Sequence, residues 1–264
     1  AGVAGDVEEA FARAGHIVLS NARNHRMDPL VPLLVPEINA DHLSVLAVQR
    51  KVKGWSGAIV ANPNCSTVVL AMALAPLRRF GLVSAVVSTM QAVSGAGYPG
   101  VPSYDILGNL VPFIGGEEEK IESEILKILG TDEGRTNHSM AISAHANRVP
   151  VIDGHTMTVS VRLEAKAQLD DVREAFRTFA GRPQELKLPT APMPAILLRD
   201  EPDRPQPRLD AERGGGMAVS IGRLRPCPVM SYRLVALGHN TVRGAAGASI
   251  LNAELMQAEL QCLS

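Results

Sequence analysis

The sequence has few cysteines, few aromatic residues and no long apolar run. Only 3% of its 264 residues are aromatic, and its three cysteines, Cys65, Cys227 and Cys262, lie far apart. This spacing argues against a disulfide framework or a zinc site, so we expect no metal, structural roles for Cys227 and Cys262, and a reducing, cytoplasmic location. No stretch approaches the roughly 20 apolar residues that cross a bilayer, so no membrane contact is expected.

An excess of either charge is also absent, because 26 Lys and Arg residues stand against 27 Asp and Glu residues. A balanced charge argues against non-specific binding of nucleic acid or of an anionic membrane, but permits a local basic pocket for a small anion. The glycine fingerprint GxGxxG of dinucleotide-binding proteins does not occur in the sequence.

Short apolar runs alternate with helical patterns in the first quarter of the chain. Strands are predicted over residues 16–20, 30–35 and 58–61, and helices over 6–14 and 41–48. This alternation is typical of a parallel sheet with crossover helices.

The rest of the chain predicts a mixed α+β region. Isoleucines at three- and four-residue spacing share one face of a helix predicted over residues 117–129. Residues 190–216, with the arginine-rich segment 199–213, are predicted to form an exposed loop. The predicted strands are 83–91, 140–150, 155–164, 217–224 and 230–237, and the predicted last helix is 240–260.

Cys65 is the first candidate for chemistry, because it follows a predicted strand and begins a predicted helix. Backbone N–H groups and the helix dipole at that position favour a thiolate, so we expect a lowered pKa. The same N–H groups are suited to hold an oxyanion formed when sulfur attacks a carbonyl. An arbitrary cysteine is more often a small buried side chain, so Cys65 needs support from other residues.

Four further residues fit such a site. His155 follows Asp153-Gly154 at the start of a strand and can handle a proton. Arg148 can hold a carboxylate by two parallel hydrogen bonds. Glu117 and Lys120 begin a helix three residues apart and suit an ammonium and a phosphate group. Each residue alone is more often structural or solvated.

Several motifs together resemble the aspartate-semialdehyde dehydrogenase family. Asn62-Pro63-Asn64-Cys65-Ser66-Thr67 is similar to its nucleophile motif, and residues 91–97 to its glutamine and Ser-Gly segment. Residues 148–156 resemble its arginine and histidine segment, and residues 240–247 its C-terminal asparagine helix. Residues 21–28 resemble its phosphate-binding loop. The order and the spread of these motifs favour the archaeal and fungal branch.

The resemblance implies a mechanism in which cysteine attacks L-aspartyl 4-phosphate, NADPH reduces the thioester, and L-aspartate 4-semialdehyde is released for lysine, threonine and methionine biosynthesis. It implies catalytic roles for Cys65, Gln91 and His155, substrate binding by Arg26, Asn64, Glu117, Lys120 and Arg148, and NADP contacts from Ser94, Gly95 and Asn240. A homodimer or homotetramer is also implied.

The implied fold is α/β. It combines part of a Rossmann-type parallel-sheet domain (1–64), an α+β catalytic and dimerisation domain of the glyceraldehyde-3-phosphate dehydrogenase type (65–238), and a helix that returns to the first domain (239–264). The family starts with a strand, a glycine-rich loop and a helix that bind the NADP phosphates. No such segment is recognisable in the sequence, so we expect this chain to lack it.

Other functions remain open at the level of sequence. A malonyl-CoA reductase-like enzyme would share Cys65 and His155, but its substrate would give Glu117 no ammonium to bind. N-acetyl-glutamyl-phosphate reductases normally have glycine in place of Asn64. A cysteine hydrolase would not need the asparagine motif at Asn240, and an inactive dimerisation fragment would need none of these residues.

Overall fold

The computed structural model describes residues 3–130 and 140–262. The N-terminal part contains a two-stranded parallel sheet, in which Ile17 pairs with Ala58 and Ser20 with Ala61. Its elements are α1 (Ala4–Arg13), β1 (Ile17–Ser20), α2 (Pro36–Asn39), α3 (Val45–Lys53) and β2 (Ala58–Ala61). A 3₁₀ turn, Ala40–Ser44, joins α2 to α3.

The strand predicted over residues 30–35 is wrong. That segment contributes one parallel bridge, between Leu33 and Ala61, and no strand. Val31, Leu33, Leu34 and Val35 are nevertheless buried. Pro32 lacks an N–H donor, which prevents a regular ladder at this position, while the burial explains the strand-like composition.

The larger part is a mixed six-stranded sheet in the order β4-β3-β5-β8-β7-β6. The pairs β3–β4 and β6–β7 are parallel, and the other pairs are antiparallel. The strands are β3 (Leu82–Gln91), β4 (Ala141–Arg148), β5 (His155–Leu163), β6 (Ile196–Leu198), β7 (Val219–Pro226) and β8 (Tyr232–Gly238). The helices are α4 (Cys65–Leu74), α5 (Ser103–Ile106), α6 (Glu117–Ile128), α7 (Leu169–Arg177), α8 (Arg182–Glu185), α9 (Pro207–Asp210) and α10 (Gly247–Cys262).

Helix α4 lies at the centre of the molecule. It has no charged residue, and every side chain after Cys65 is buried. It contacts α6, β5, β7 and β8, while Ile121, Ile125 and Ile128 of α6 complete the same core. An apolar helix of this kind is stable only when it is enclosed on all sides. Its first residue, Cys65, is therefore held on a rigid support.

The predicted exposed loop 190–216 is only partly a loop. It contains β6 and α9, and Asp210 is fully buried in an ion pair with Arg204. Arg199 lies next to the same carboxylate, at 3.9 Å. Most residues of 199–213 are exposed, as expected, and the exception among the charged residues is Asp210, which is buried against the arginines of the same segment.

The C-terminal helix begins later than predicted. A π-helical turn, Val242–Ala246, precedes α10. A side-chain Cβ on Gly244 would lie 2.5 Å from the Cβ of Cys65, so this turn packs directly against the nucleophile candidate. Within the described residues no helix is both long and apolar enough to cross a membrane.

Candidate active site

Cys65 occupies the position that its sequence context predicts, between β2 and the first turn of α4. The side chain of Asn64 caps the helix, because its oxygen accepts hydrogen bonds from the N–H groups of Ser66 at 2.9 Å and Thr67 at 3.2 Å. Asn64 therefore already occupies these two N–H groups, and an oxyanion at this position would have to share them with its side chain.

His155 is the direct partner of Cys65. It is fully buried at the start of β5, and its Nε2 lies 3.3 Å from the cysteine Sγ. The Nδ1 atom accepts a hydrogen bond from the Ala92 N–H at 3.1 Å. A neutral ring whose Nδ1 is an acceptor carries its proton on Nε2, so the ring donates toward sulfur.

The electrostatics of this pair differ from the sequence expectation. Burial and the nearby Glu117 carboxylate raise the pKa of Cys65 to about 11. Burial and the charge of Arg148 lower the pKa of His155 to about 3. The expected low pKa of Cys65 is therefore wrong for the protein without ligands, because burial outweighs the helix N-terminus. The resting pair is a thiol and a neutral imidazole.

Arg148 lies close to the imidazole of His155. It is buried at the end of β4, and its Nη1 donates to the Ala92 carbonyl at 2.7 Å. It forms no ion pair with any residue that the structure describes, so its charge is free for a carboxylate. Gly95 allows this arrangement, since a Cβ there would lie 2.9 Å from the His155 ring and 3.0 Å from Arg148.

Glu117 and Lys120 lie in the first turn of α6 and point to the same place. The Glu117 carboxylate accepts a hydrogen bond from the Asn64 side-chain amide at 2.7 Å and another from Lys120 Nζ at 3.2 Å. Glu117 is buried, and Lys120 is partly exposed. This arrangement places a carboxylate and an ammonium group beside the cysteine turn.

Glu124 joins the site although the sequence reading did not select it. One carboxylate oxygen accepts from Arg26 Nη1 at 3.0 Å, and the other accepts from the Asn64 backbone N–H at 2.6 Å. Burial raises the pKa of this carboxyl group. The available signal was its position seven residues after Glu117, which puts both on one helix face among buried isoleucines.

Asn240 brings three segments together. Its Oδ1 accepts from the Gly154 N–H at 2.8 Å, and its Nδ2 donates to Ser94 Oγ at 2.8 Å. The second hydrogen on Nδ2 is not used by these hydrogen bonds, so it can be donated to the oxygen of a carboxamide group. Ser94, Gly95 and Asn240 thus fit the edge of a nicotinamide site.

Gln91 is the predicted residue with the weakest link to the site. It is buried at the end of β3, opposite Arg148 in the sheet register. Its amide donates to Thr89 Oγ1 at 3.4 Å, and no hydrogen bond joins it to Cys65. Gln91 lies near the site because it directly precedes Ala92 at the end of β3, and not because its side chain contacts Cys65.

Two family models match the chain. Residues 74–243 match the semialdehyde dehydrogenase dimerisation domain, and residues 1–46 match the semialdehyde dehydrogenase NAD binding domain.

Curated relatives are similar over nearly the whole chain. The aspartate-semialdehyde dehydrogenase of Methanothermobacter thermautotrophicus is 55% identical over 261 residues, which are 97% of this chain and 75% of the relative. The enzyme of the same name from Archaeoglobus fulgidus is 51% identical, over 96% of this chain and 74% of the relative.

Solved structures have the same fold. The aspartate semialdehyde dehydrogenase of Candida albicans with NADP superposes with a TM-score of 0.87 at 42% identity, covering 98% of this chain and 75% of that one. Aspartate semialdehyde dehydrogenase II of Vibrio cholerae complexed with ASA gives 0.76 at 27% identity, covering 96% and 77%. The archaeal and fungal relatives agree with the branch that the motifs indicated.

Proposed function

The chain belongs to the aspartate-semialdehyde dehydrogenase family, and we propose that it reduces L-aspartyl 4-phosphate to L-aspartate 4-semialdehyde through a thioester on Cys65. The contact between Cys65 Sγ and His155 Nε2, with Arg148 close by, carries this proposal. A sulfur nucleophile, a hydrogen-bond donor to that sulfur and a free guanidinium are the groups that acyl transfer from an amino-acid substrate requires.

Sulfur forms the first bond. Cys65 Sγ attacks the acyl carbon, the C–O bond to phosphate breaks, and the thiol proton leaves with the phosphate. His155 keeps its proton on Nε2 and donates to sulfur, so it stabilises negative charge there as the proton departs. This role differs from that of a general base, because accepting a proton at Nε2 would require the other tautomer. In the second half, the C–S bond breaks and sulfur regains a proton from solvent.

When bound, NADPH supplies the hydride that reduces the thioester. Ser94, Gly95 and Asn240 would hold its nicotinamide end, and the fit rests on the glycine that leaves room beside His155 and on the free amide hydrogen of Asn240. The NADP complex of the Candida albicans relative supports this choice of cofactor.

The charges around Cys65 support an aspartyl substrate. Arg148 would bind its α-carboxylate, and Glu117 its ammonium group. Arg26, Lys120 and Asn64 would bind the phosphate. Glu117 connects Lys120 to the Asn64 turn, and Glu124 connects Arg26 to the same turn, so the three groups lie close together. The acyl group of malonyl-CoA has no ammonium group for Glu117, so the malonyl-CoA alternative gains no support. The need for a reduced thiol supports a cytoplasmic location.

The open face of the six-stranded sheet supports a homodimer. One face packs on α4, α6 and α7, while Val83, Val86 and Thr158 are exposed on the other. The matched dimerisation domain covers these strands. In this proposal residues 65–238 form the catalytic and dimerisation domain, between part of the NADP domain (1–64) and the returning helix (239–264).

Phosphate-dependent reduction of NADP with L-aspartate 4-semialdehyde tests the proposed function. The chain should turn over, and Cys65→Ser should lower kcat by roughly 10³-fold or more. Turnover that needs CoA in place of phosphate would contradict the substrate, and activity that survives Cys65→Ser would contradict the mechanism. Cys227→Ser is the matched control, because Cys227 lies in the β7–β8 turn and has no role in the reaction.

A further inference from the structure

Lys127 is a buried cation that the proposed reaction does not use. It is 2% exposed, and its Nζ donates to the carbonyl oxygens of Arg26 at 2.8 Å, Asp28 at 2.8 Å and Val31 at 2.7 Å. An ammonium group has three donors, and all three are used here. A single side chain of α6 thus fixes the course of residues 26–31.

Glu124 lies one turn earlier on the same helix and fixes the other end of Arg26. Its two oxygens bind Arg26 Nη1 and the Asn64 backbone N–H. The Arg26 Nη2 is further bound to the Asn21 carbonyl at 2.9 Å, while its Nε is buried with no partner. The guanidinium is therefore held in one orientation, and one hydrogen on each Nη atom is not used by these bonds.

We infer that Glu124 and Lys127 are positioning residues that set the Arg26 guanidinium for the phosphate group. They do so through the loop 21–31 and the Asn64 turn, without touching the phosphate themselves. The inference rests on the proposed function, in which phosphate is a substrate. Preorganisation of this kind lowers the cost of ordering a long arginine side chain at each binding event.

Such a role separates phosphate affinity from the rest of the chemistry. In the proposed function Arg148, at the end of strand β4, holds the carboxylate of the substrate, whereas Lys127 lies on helix α6. Loss of Lys127 should therefore weaken binding of phosphate far more than that of the aldehyde. A purely structural role would instead lower both affinities, or only the stability.

Calorimetric titration with inorganic phosphate and steady-state kinetics test this inference on Lys127→Met and Glu124→Gln. For Lys127→Met we expect the Kd and the KM for phosphate to rise about tenfold, with the KM for aldehyde changed less than twofold. Glu124→Gln, which has the same shape, should raise the Kd for phosphate and also lower kcat, because an amide cannot accept from both Arg26 and Asn64. Exposed residues supply the matched controls, Lys51→Met and Glu119→Gln, which should behave as wild type.

Hydrogen exchange of residues 21–31 completes the test. Faster exchange in Lys127→Met together with weaker phosphate binding supports the inference. Unchanged phosphate binding in both variants would overturn it, as would a wild-type chain that binds no phosphate. Failure of the proposed function is seen separately, as absent phosphate-dependent NADP reduction in a wild-type chain that binds phosphate.

Discussion

At the scale of single residues, the Cys65–His155 pair is unusual because neither partner is charged in the resting site. A pKa of about 11 leaves roughly one Cys65 in ten thousand as thiolate at pH 7. His155, with a pKa of about 3, does not titrate near neutral pH. The nucleophile therefore becomes reactive only when its proton departs with the reaction.

This neutral pair predicts the pH profile of thiol modification. Alkylation of Cys65 by iodoacetamide should accelerate about tenfold per pH unit from pH 7 to 10, because only the thiolate reacts. Cys227 is an internal control, since backbone N–H groups of Met230 and Val229 lower its pKa, so its rate should level off at a lower pH. Mass spectrometry of the two peptides gives both rates. A Cys65 rate that is flat above pH 7 would demonstrate a stable thiolate and contradict the neutral pair.

Residue-scale chemistry was predictable where a rare side chain stood in a distinctive motif, as with Cys65, His155 and Asn240. Glu124 and Lys127 were not identified from the sequence, because charged residues on a helix usually face solvent and the partners of these two lie about 60 to 100 positions away. The direction in which the pKa of Cys65 is shifted was also not predicted, since burial by distant segments cannot be read from its neighbours in sequence. The catalytic and binding roles of the eleven predicted residues stay predictions.

At the scale of elements, helix α6 also provides acceptors for backbone N–H groups of the edge strand β4. Glu122 accepts from the Ala144 N–H and Glu118 from the Ala146 N–H, each at 2.9 Å. Val111 pairs with Arg148 further along the same edge. Unpaired edge groups are templates for association with other strands, so these contacts close the sheet at this side.

This arrangement predicts a graded loss of stability. Glu122→Ala should lower the free energy of unfolding by about 1 kcal/mol, because the Ala144 N–H loses its acceptor. Glu122→Gln retains a carbonyl acceptor of the same length and should unfold as wild type. Urea denaturation followed by circular dichroism gives the unfolding midpoint of each protein. The midpoints report stability when the m-value is the same for all three proteins. Equal midpoints for all three proteins would show that the contact contributes nothing.

Most elements were predictable from pattern, and the two exceptions have separate causes. β3 and β5 were found within a residue of their predicted ends, because β-branched runs bounded by turns leave little choice. The error over residues 30–35 arises at Pro32, whereas the late start of α10 arises where the turn before it packs against a partner distant in sequence. Gly244, for example, approaches Cys65, which lies 179 positions earlier.

At the scale of the whole molecule, a buried ion pair joins the N-terminal part of the chain to the turn before its last helix. Arg243, in the turn before α10, donates to Glu37 of α2 at 2.6 and 2.8 Å, and both side chains are 1% exposed or less. A bidentate pair of this kind fixes orientation as well as distance. Because Gly244 follows Arg243 and packs on Cys65, the pair also sets the wall of the site.

A double-mutant cycle tests this link. Arg243→Met should lower the free energy of unfolding by about 3–5 kcal/mol, because Glu37 is left buried without a partner. Adding Glu37→Met should recover part of that loss, whereas two independent contacts would give additive losses. Arg182→Met is the comparison, since the Arg182–Glu259 pair is more exposed and its loss should lower the free energy of unfolding far less. The double variant should still show reduced kcat, because apolar side chains restore burial but not the orientation that holds Gly244 against the nucleophile.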